Sequence, residues 1–67
     1  MTPDQLIRAR KHLKLSLQQA ADMLGYEGET AKSQVHHLET GRRKIRPAQR
    51  RLIEAYLGGW RPGDWPV

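Results

Sequence analysis

Apolar residues recur at helical spacing in four separate stretches of the chain, and none of the stretches alternates as a strand would. The first stretch follows a capping box, with Thr2 at the N-cap, Gln5 three residues later and Pro3 at the first helical position. Its apolar side consists of Leu6, Ile7, Ala9 and Leu13. The pattern predicts a first helix from about Pro3 to Lys14.

A second capping box, from Ser16 to Gln19, precedes the next stretch. Gly25 follows that stretch and suits a helix C-terminus, because it can adopt a positive φ without a Cβ penalty. The apolar positions between them keep the i, i+3, i+4, i+7 spacing: Leu17, Ala20, Ala21 and Leu24. These signals predict a short second helix that ends before Gly25.

Two further helices are predicted after a polar loop at residues 26–30. The third has Ala31, Val35 and Leu38 on its buried side and ends at Gly41. The fourth begins at Pro47, ends at Gly58 and has a longer apolar side: Ala48, Leu52, Ile53, Ala55, Tyr56 and Leu57. We therefore expect an all-α, compact four-helix domain over residues 1–58. An irregular aromatic C-terminal tail is expected over residues 59–67.

The positive charge is concentrated in the second half of the chain. Among 67 residues there are 12 Lys and Arg against 7 Asp and Glu, a net charge of +5. Residues 1–31 carry four basic and four acidic side chains, so the excess lies in residues 32–67. Such a clustered excess is typical of a protein that binds a polyanion, although a solvated basic surface gives the same count.

Few groups are available for catalysis, metal binding or cross-linking. The chain has no cysteine, and its three histidines (His12, His36 and His37) lack the spacing of metal ligands. No glycine-rich phosphate loop and no paired carboxylates are present. We expect no enzyme activity, cofactor or metal. No apolar run reaches the roughly 20 residues of a membrane span, and no signal peptide is evident, so a cytoplasmic location is expected.

A capped second helix, a loop and a polar third helix make a helix-turn-helix outline. The chain resembles the lambda-repressor-like (Cro/C1, or XRE) helix-turn-helix family over residues 4–57. The resemblance lies in Leu13-x-Leu15-Ser16-x-x-x-x-Ala21-x-x-Leu24-Gly25, followed by Val35-x-x-Leu38-Glu39-x-Gly41. It implies a compact all-α domain that binds palindromic double-stranded DNA as a homodimer.

The resemblance also assigns roles to particular residues. Arg10 and Glu39 match an ion pair that holds the recognition helix against the first helix. The third helix would enter the major groove, where its base-reading candidates are Lys32, Ser33, Gln34, His36 and His37. Of these, Gln34 and His36 lie on the flanks, where phosphate contact is the alternative. Phosphate contacts are expected from the start of the second helix and from the segment after the third: Ser16, Gln18, Gln19, Arg42, Arg43 and Lys44.

The turn of this chain departs from the family pattern. The 16 residues from Tyr26 to Gly41 are about one helical turn more than relatives usually have. Either the loop is longer or the third helix gains a turn. We expect the longer loop, because Gly28 disfavours a helix and Thr30 is a good N-cap.

These features and the resemblance together predict a sequence-specific transcriptional regulator, most simply a repressor. The resemblance and the small size of the domain fit a phage, prophage or anti-CRISPR-associated regulator. The alternative is an antitoxin or another interaction module whose main partner is a second protein. RNA binding is less favoured, because no aromatic side chains interleave with the basic run. Three aromatic residues near the C-terminus could fold over the core or form a dimer contact: Tyr56, Trp60 and Trp65.

Overall fold

The computed structural model describes residues 1–63 and consists, over that range, of four helices with no strand. The helices are α1 (Pro3–His12), α2 (Leu17–Leu24), α3 (Ala31–Glu39) and α4 (Pro47–Leu57). This confirms the all-α four-helix fold. Helix α3 packs against both α1 and α2, and α4 packs against α2 and α1.

The two predicted capping boxes are present. Thr2 and Gln5 exchange side-chain and backbone hydrogen bonds at the start of α1, and Ser16 and Gln19 do the same at the start of α2. Gly25 ends α2 with φ of +82°. These bonds involve only near neighbours in the chain, so the local sequence is enough to specify where each helix begins.

Two helix ends differ from the prediction. Helix α1 ends at His12, because Lys14 adopts a left-handed φ of +58° and Leu15 donates its N–H to the Arg10 carbonyl. Helix α4 ends at Leu57 with Gly58 as its C-cap, as predicted, and a positive φ of +96° follows at Gly59. The Thr30 side chain makes no capping bond, because its ψ of 4° is not the extended value that a capping side chain needs.

The core is formed where the apolar sides of the helices meet. Its largest completely buried side chains are Leu6, Val35, Leu38 and Ile53. Helix α4 is less buried than its apolar pattern predicts, because Ala48 and Leu57 are exposed. Residues 26–30 form a loop and add no turn to α3. The buried side of α3 consists of Ala31, Val35 and Leu38, and its other positions face outward or lie on the flanks.

Candidate nucleic-acid interface

One face of α3 is exposed along its whole length. Lys32, Ser33 and His36 are exposed, and Gln34 and His37 are half-buried. Because a helix repeats every 3.6 residues, the three buried positions of α3 leave these five side chains on its outer and flanking sides. Gln34 is a partial exception: its Oε1 atom is buried and accepts no hydrogen bond among the described residues. Only the nitrogen end of its amide could therefore face a ligand.

The C-terminal end of α3 is attached to α1 by an ion pair. Arg10 Nε lies 2.6 Å from Glu39 Oε2, and Arg10 Nη2 lies 3.2 Å from Glu39 Oε1. The Arg10 Nη1 atom also donates to the carbonyl oxygen of Leu15, at 3.1 Å. The two side chains are only 18% and 9% exposed. One guanidinium thus joins α1, the turn before α2 and the last residue of α3.

A basic segment follows α3 directly. Arg42, Arg43 and Lys44 are exposed, while the backbone N–H of Arg43 donates to the His37 carbonyl at 3.1 Å. Ile45 is half-buried and packs against the core. Both ends of the segment are therefore attached to the domain, and its three cationic side chains extend into solvent beside α3.

The polar side chains at the start of α2 are already hydrogen-bonded within the protein. Ser16 and Gln19 form the capping box, and Gln18 Nε2 donates to Asp22 Oδ1 at 3.2 Å. The Ser16 oxygen accepts a hydrogen bond there, so its own hydrogen can still be donated to another group. All three predicted phosphate-binding side chains are exposed. The Ser16 hydroxyl hydrogen, one amide hydrogen of Gln18 and both amide hydrogens of Gln19 take no part in these bonds and can still be donated to a phosphate.

The aromatic residues after α4 divide between core and surface. Tyr56 is 2% exposed and belongs to the core, which for this residue favours the alternative of packing over the core and not a dimer contact. Its ring packs edge-on against Trp60 at 5.7 Å, and the guanidinium of Arg61 lies 4.8 Å above it. Trp60 is 49% exposed and Leu57 43%. Trp65, the third predicted contact, lies outside the described residues.

Sequence reasoning overlooked Tyr26. This residue is half-buried, and its hydroxyl oxygen accepts a 2.7 Å hydrogen bond from Gln49 of α4. A single aromatic residue inside an otherwise polar loop could have indicated such an anchor.

No group of three or more His, Asp or Glu side chains within residues 1–63 is arranged to hold a metal ion. Over the same range, every helix is too short or too polar to cross a bilayer.

Comparison with known families agrees with this geometry. A helix-turn-helix family model matches residues 6–59, a range that includes α2, α3 and α4 and most of α1. Neither the comparison with curated proteins nor the one with solved structures gives a significant match. Because the matched range covers most of the chain, the protein belongs to the Cro/C1-type (XRE-like) helix-turn-helix family of DNA-binding regulators.

Proposed function

We propose that this protein is a sequence-specific repressor that binds an inverted repeat in double-stranded DNA as a homodimer. The observation that carries the proposal is the exposed polar face of α3 with the basic segment 42–44 beside it. A helix fits the major groove, where base edges differ in their donors and acceptors, while cationic side chains beside it reach phosphates. A bound domain blocks polymerase from the DNA that it covers, so repression is the simplest outcome.

Lys32 and Arg43 are proposed to have different roles on the DNA. Lys32 is exposed in the first turn of α3, the part of a recognition helix that contacts base edges. Its ammonium can donate to guanine O6 and N7, which distinguishes guanine from the other bases. Arg43 lies outside the helix, where it would contact the sugar-phosphate backbone and position the domain without reading sequence.

Selection of binding sites followed by footprinting tests both roles. We expect Lys32→Ala to lose about 1–3 kcal/mol of discrimination at one base pair of each half-site. Arg43→Ala should weaken binding to all sequences alike and lower the slope of log affinity against log salt by about one for each half-site. If the two variants behave identically, the assignment of α3 as the reading element is wrong. If no sequence is enriched by the wild type, the alternative of a protein-interaction module is favoured.

The homodimer is proposed from the exposed apolar surface at the end of α4. Leu57 and Trp60 are both more than two-fifths exposed, unlike the rest of the large apolar side chains in residues 1–63. A single small module buries only about 600–1,000 Å² on DNA, and two-fold pairing doubles that contact. Two copies would bind half-sites with centres about 10–10.5 base pairs apart.

Analytical ultracentrifugation at micromolar concentration tests this assembly. We expect the wild type to sediment as a dimer and Trp60→Ser to shift toward monomer, because the variant removes a large apolar contact. Lys11→Ser, at an exposed position on α1, is the control and should remain dimeric. A wild type that is monomeric both free and on its operator would contradict the proposal.

A further inference from the structure

Tyr26 connects the two segments that flank α3. Its backbone N–H donates to the Ala21 carbonyl at 2.9 Å, and its hydroxyl oxygen accepts from Gln49 Nε2 at 2.7 Å. Gln49 lies in the first turn of α4, and its Oε1 accepts the backbone N–H of Arg46 at 2.9 Å. A continuous chain of hydrogen bonds therefore runs from the segment after α3 to the loop before it.

The direction of these hydrogen bonds follows from which groups can donate. A backbone N–H can only donate, so the oxygen end of the Gln49 amide must face Arg46. The nitrogen end then donates to the Tyr26 hydroxyl oxygen. The hydroxyl hydrogen of Tyr26 takes no part in this bond, and within residues 1–63 no protein group accepts it. It is thus oriented and available to a ligand.

These groups line one concavity in the surface. Its volume is about 500 Å³, and its lining includes three cationic side chains. None of the described residues that line it carries a carboxylate. The lining residues are Tyr26, Leu38, Arg43, Lys44, Arg46 and Gln49. Cationic donors together with an oriented hydroxyl match the oxygens of a phosphate group.

We infer that this concavity is the binding site of one backbone phosphate of DNA, with the Tyr26 hydroxyl and the Arg46 guanidinium among its ligands. The inference rests on the proposed function and extends the phosphate-binding surface beyond residues 42–44. Its ligands come from both sides of α3, so a phosphate held there fixes the helix relative to the DNA strand. A backbone phosphate is the same at every base pair, so the contact adds affinity and register and no sequence preference.

Two variants of the full chain test the site. Tyr26→Phe keeps the ring and removes the hydroxyl, and we expect it to bind every duplex about 3–10-fold more weakly. Arg46→Gln keeps its backbone N–H for Gln49 and should lower the salt slope by about one for each half-site. Arg8→Gln removes the same charge from an exposed position in a separate groove between α1 and α4, and it should leave the slope unchanged.

Uncharged DNA linkages distinguish a phosphate contact from a merely structural role. Methylphosphonates are placed one at a time along the selected operator, and binding is measured for the wild type and both variants. At one linkage in each half-site, the methylphosphonate should weaken binding of the wild type. The same methylphosphonate should weaken binding of Tyr26→Phe and Arg46→Gln little further, because these variants have already lost the contact. If the loss of affinity caused by the methylphosphonate adds to that caused by the substitution at every linkage, this phosphate site is wrong. The same holds if both variants bind DNA as tightly as the wild type. In either case, DNA binding by α3 remains the proposed function.

Two further results distinguish failure of this phosphate site from failure of the proposed function. Titration with inorganic phosphate, followed by NMR, detects binding of the free anion. If phosphate saturates the site while both variants keep wild-type DNA affinity, the concavity binds a free anion and not DNA. If the wild type binds no duplex in the selection, the proposed function itself fails, and the inference falls with it.

Discussion

Glu39→Ala is expected to destabilise the fold by about 3 kcal/mol, because it leaves the Arg10 guanidinium mostly buried without its carboxylate. Removing one partner of a buried pair costs about 3–5 kcal/mol, and the 18% exposure of Arg10 places this pair at the lower end. A chain of 67 residues has a free energy of unfolding of only about 3–10 kcal/mol. The variant should therefore lose about a third or more of the total stability of the domain.

The second ion pair of the described residues provides the matched control. Arg50 Nη1 lies 2.8 Å from Glu54 Oε1, but these side chains are 41% and 52% exposed. Glu54→Ala should cost less than about 0.5 kcal/mol, because water already screens that pair. Urea unfolding followed by circular dichroism measures both variants. If Glu39→Ala and Glu54→Ala lose equal stability, the Arg10–Glu39 pair is not what holds α3 in place.

The second large effect is expected on binding. Replacing Arg42, Arg43 and Lys44 together with glutamine should lower the salt slope by about three for each half-site, because three phosphate contacts per subunit no longer release counterions. At about 0.1 M salt this corresponds to a loss of affinity on the order of several hundredfold for each half-site. The three side chains are exposed, so the free energy of unfolding should change little. Titration of labelled operator at several salt concentrations measures the slope.

A second triple variant controls for net charge. Changing Arg8, Arg50 and Arg51 to glutamine removes the same three charges from α1 and α4. We expect its salt slope to stay within about one unit of the wild type, because distant charges are screened beyond roughly 10 Å. If both triple variants lose affinity equally, net charge and not the segment after α3 accounts for binding.

Local signals in the sequence were enough to predict most of the helix boundaries. The capping boxes at Thr2 and Ser16 and the glycine after α2 act over three or four residues, so the neighbouring sequence specifies them. The buried side of α3 follows from its spacing in the same way. Two predictions were wrong: that the Thr30 side chain caps α3 and that α1 continues to Lys14. Both depend on a backbone conformation that the adjoining helices impose and that the neighbouring sequence does not specify.

The candidate site was predicted only in part. The polar face of α3 and the basic segment after it can be identified from the sequence, and the Arg10–Glu39 pairing came from the family resemblance. The hydrogen bond between Tyr26 and Gln49 joins residues 23 apart in the chain, and no local pattern indicates it.

By itself, the sequence determined four helices, their buried sides and a basic surface, because each depends on neighbouring residues or on composition. Only the tertiary structure decided that Tyr56 is buried while Trp60 is exposed, and that Tyr26, Arg46 and Gln49 share one concavity. Such contacts depend on the angles and distances at which helices pack. Those are set by the combined fit of many side chains and not by any one segment.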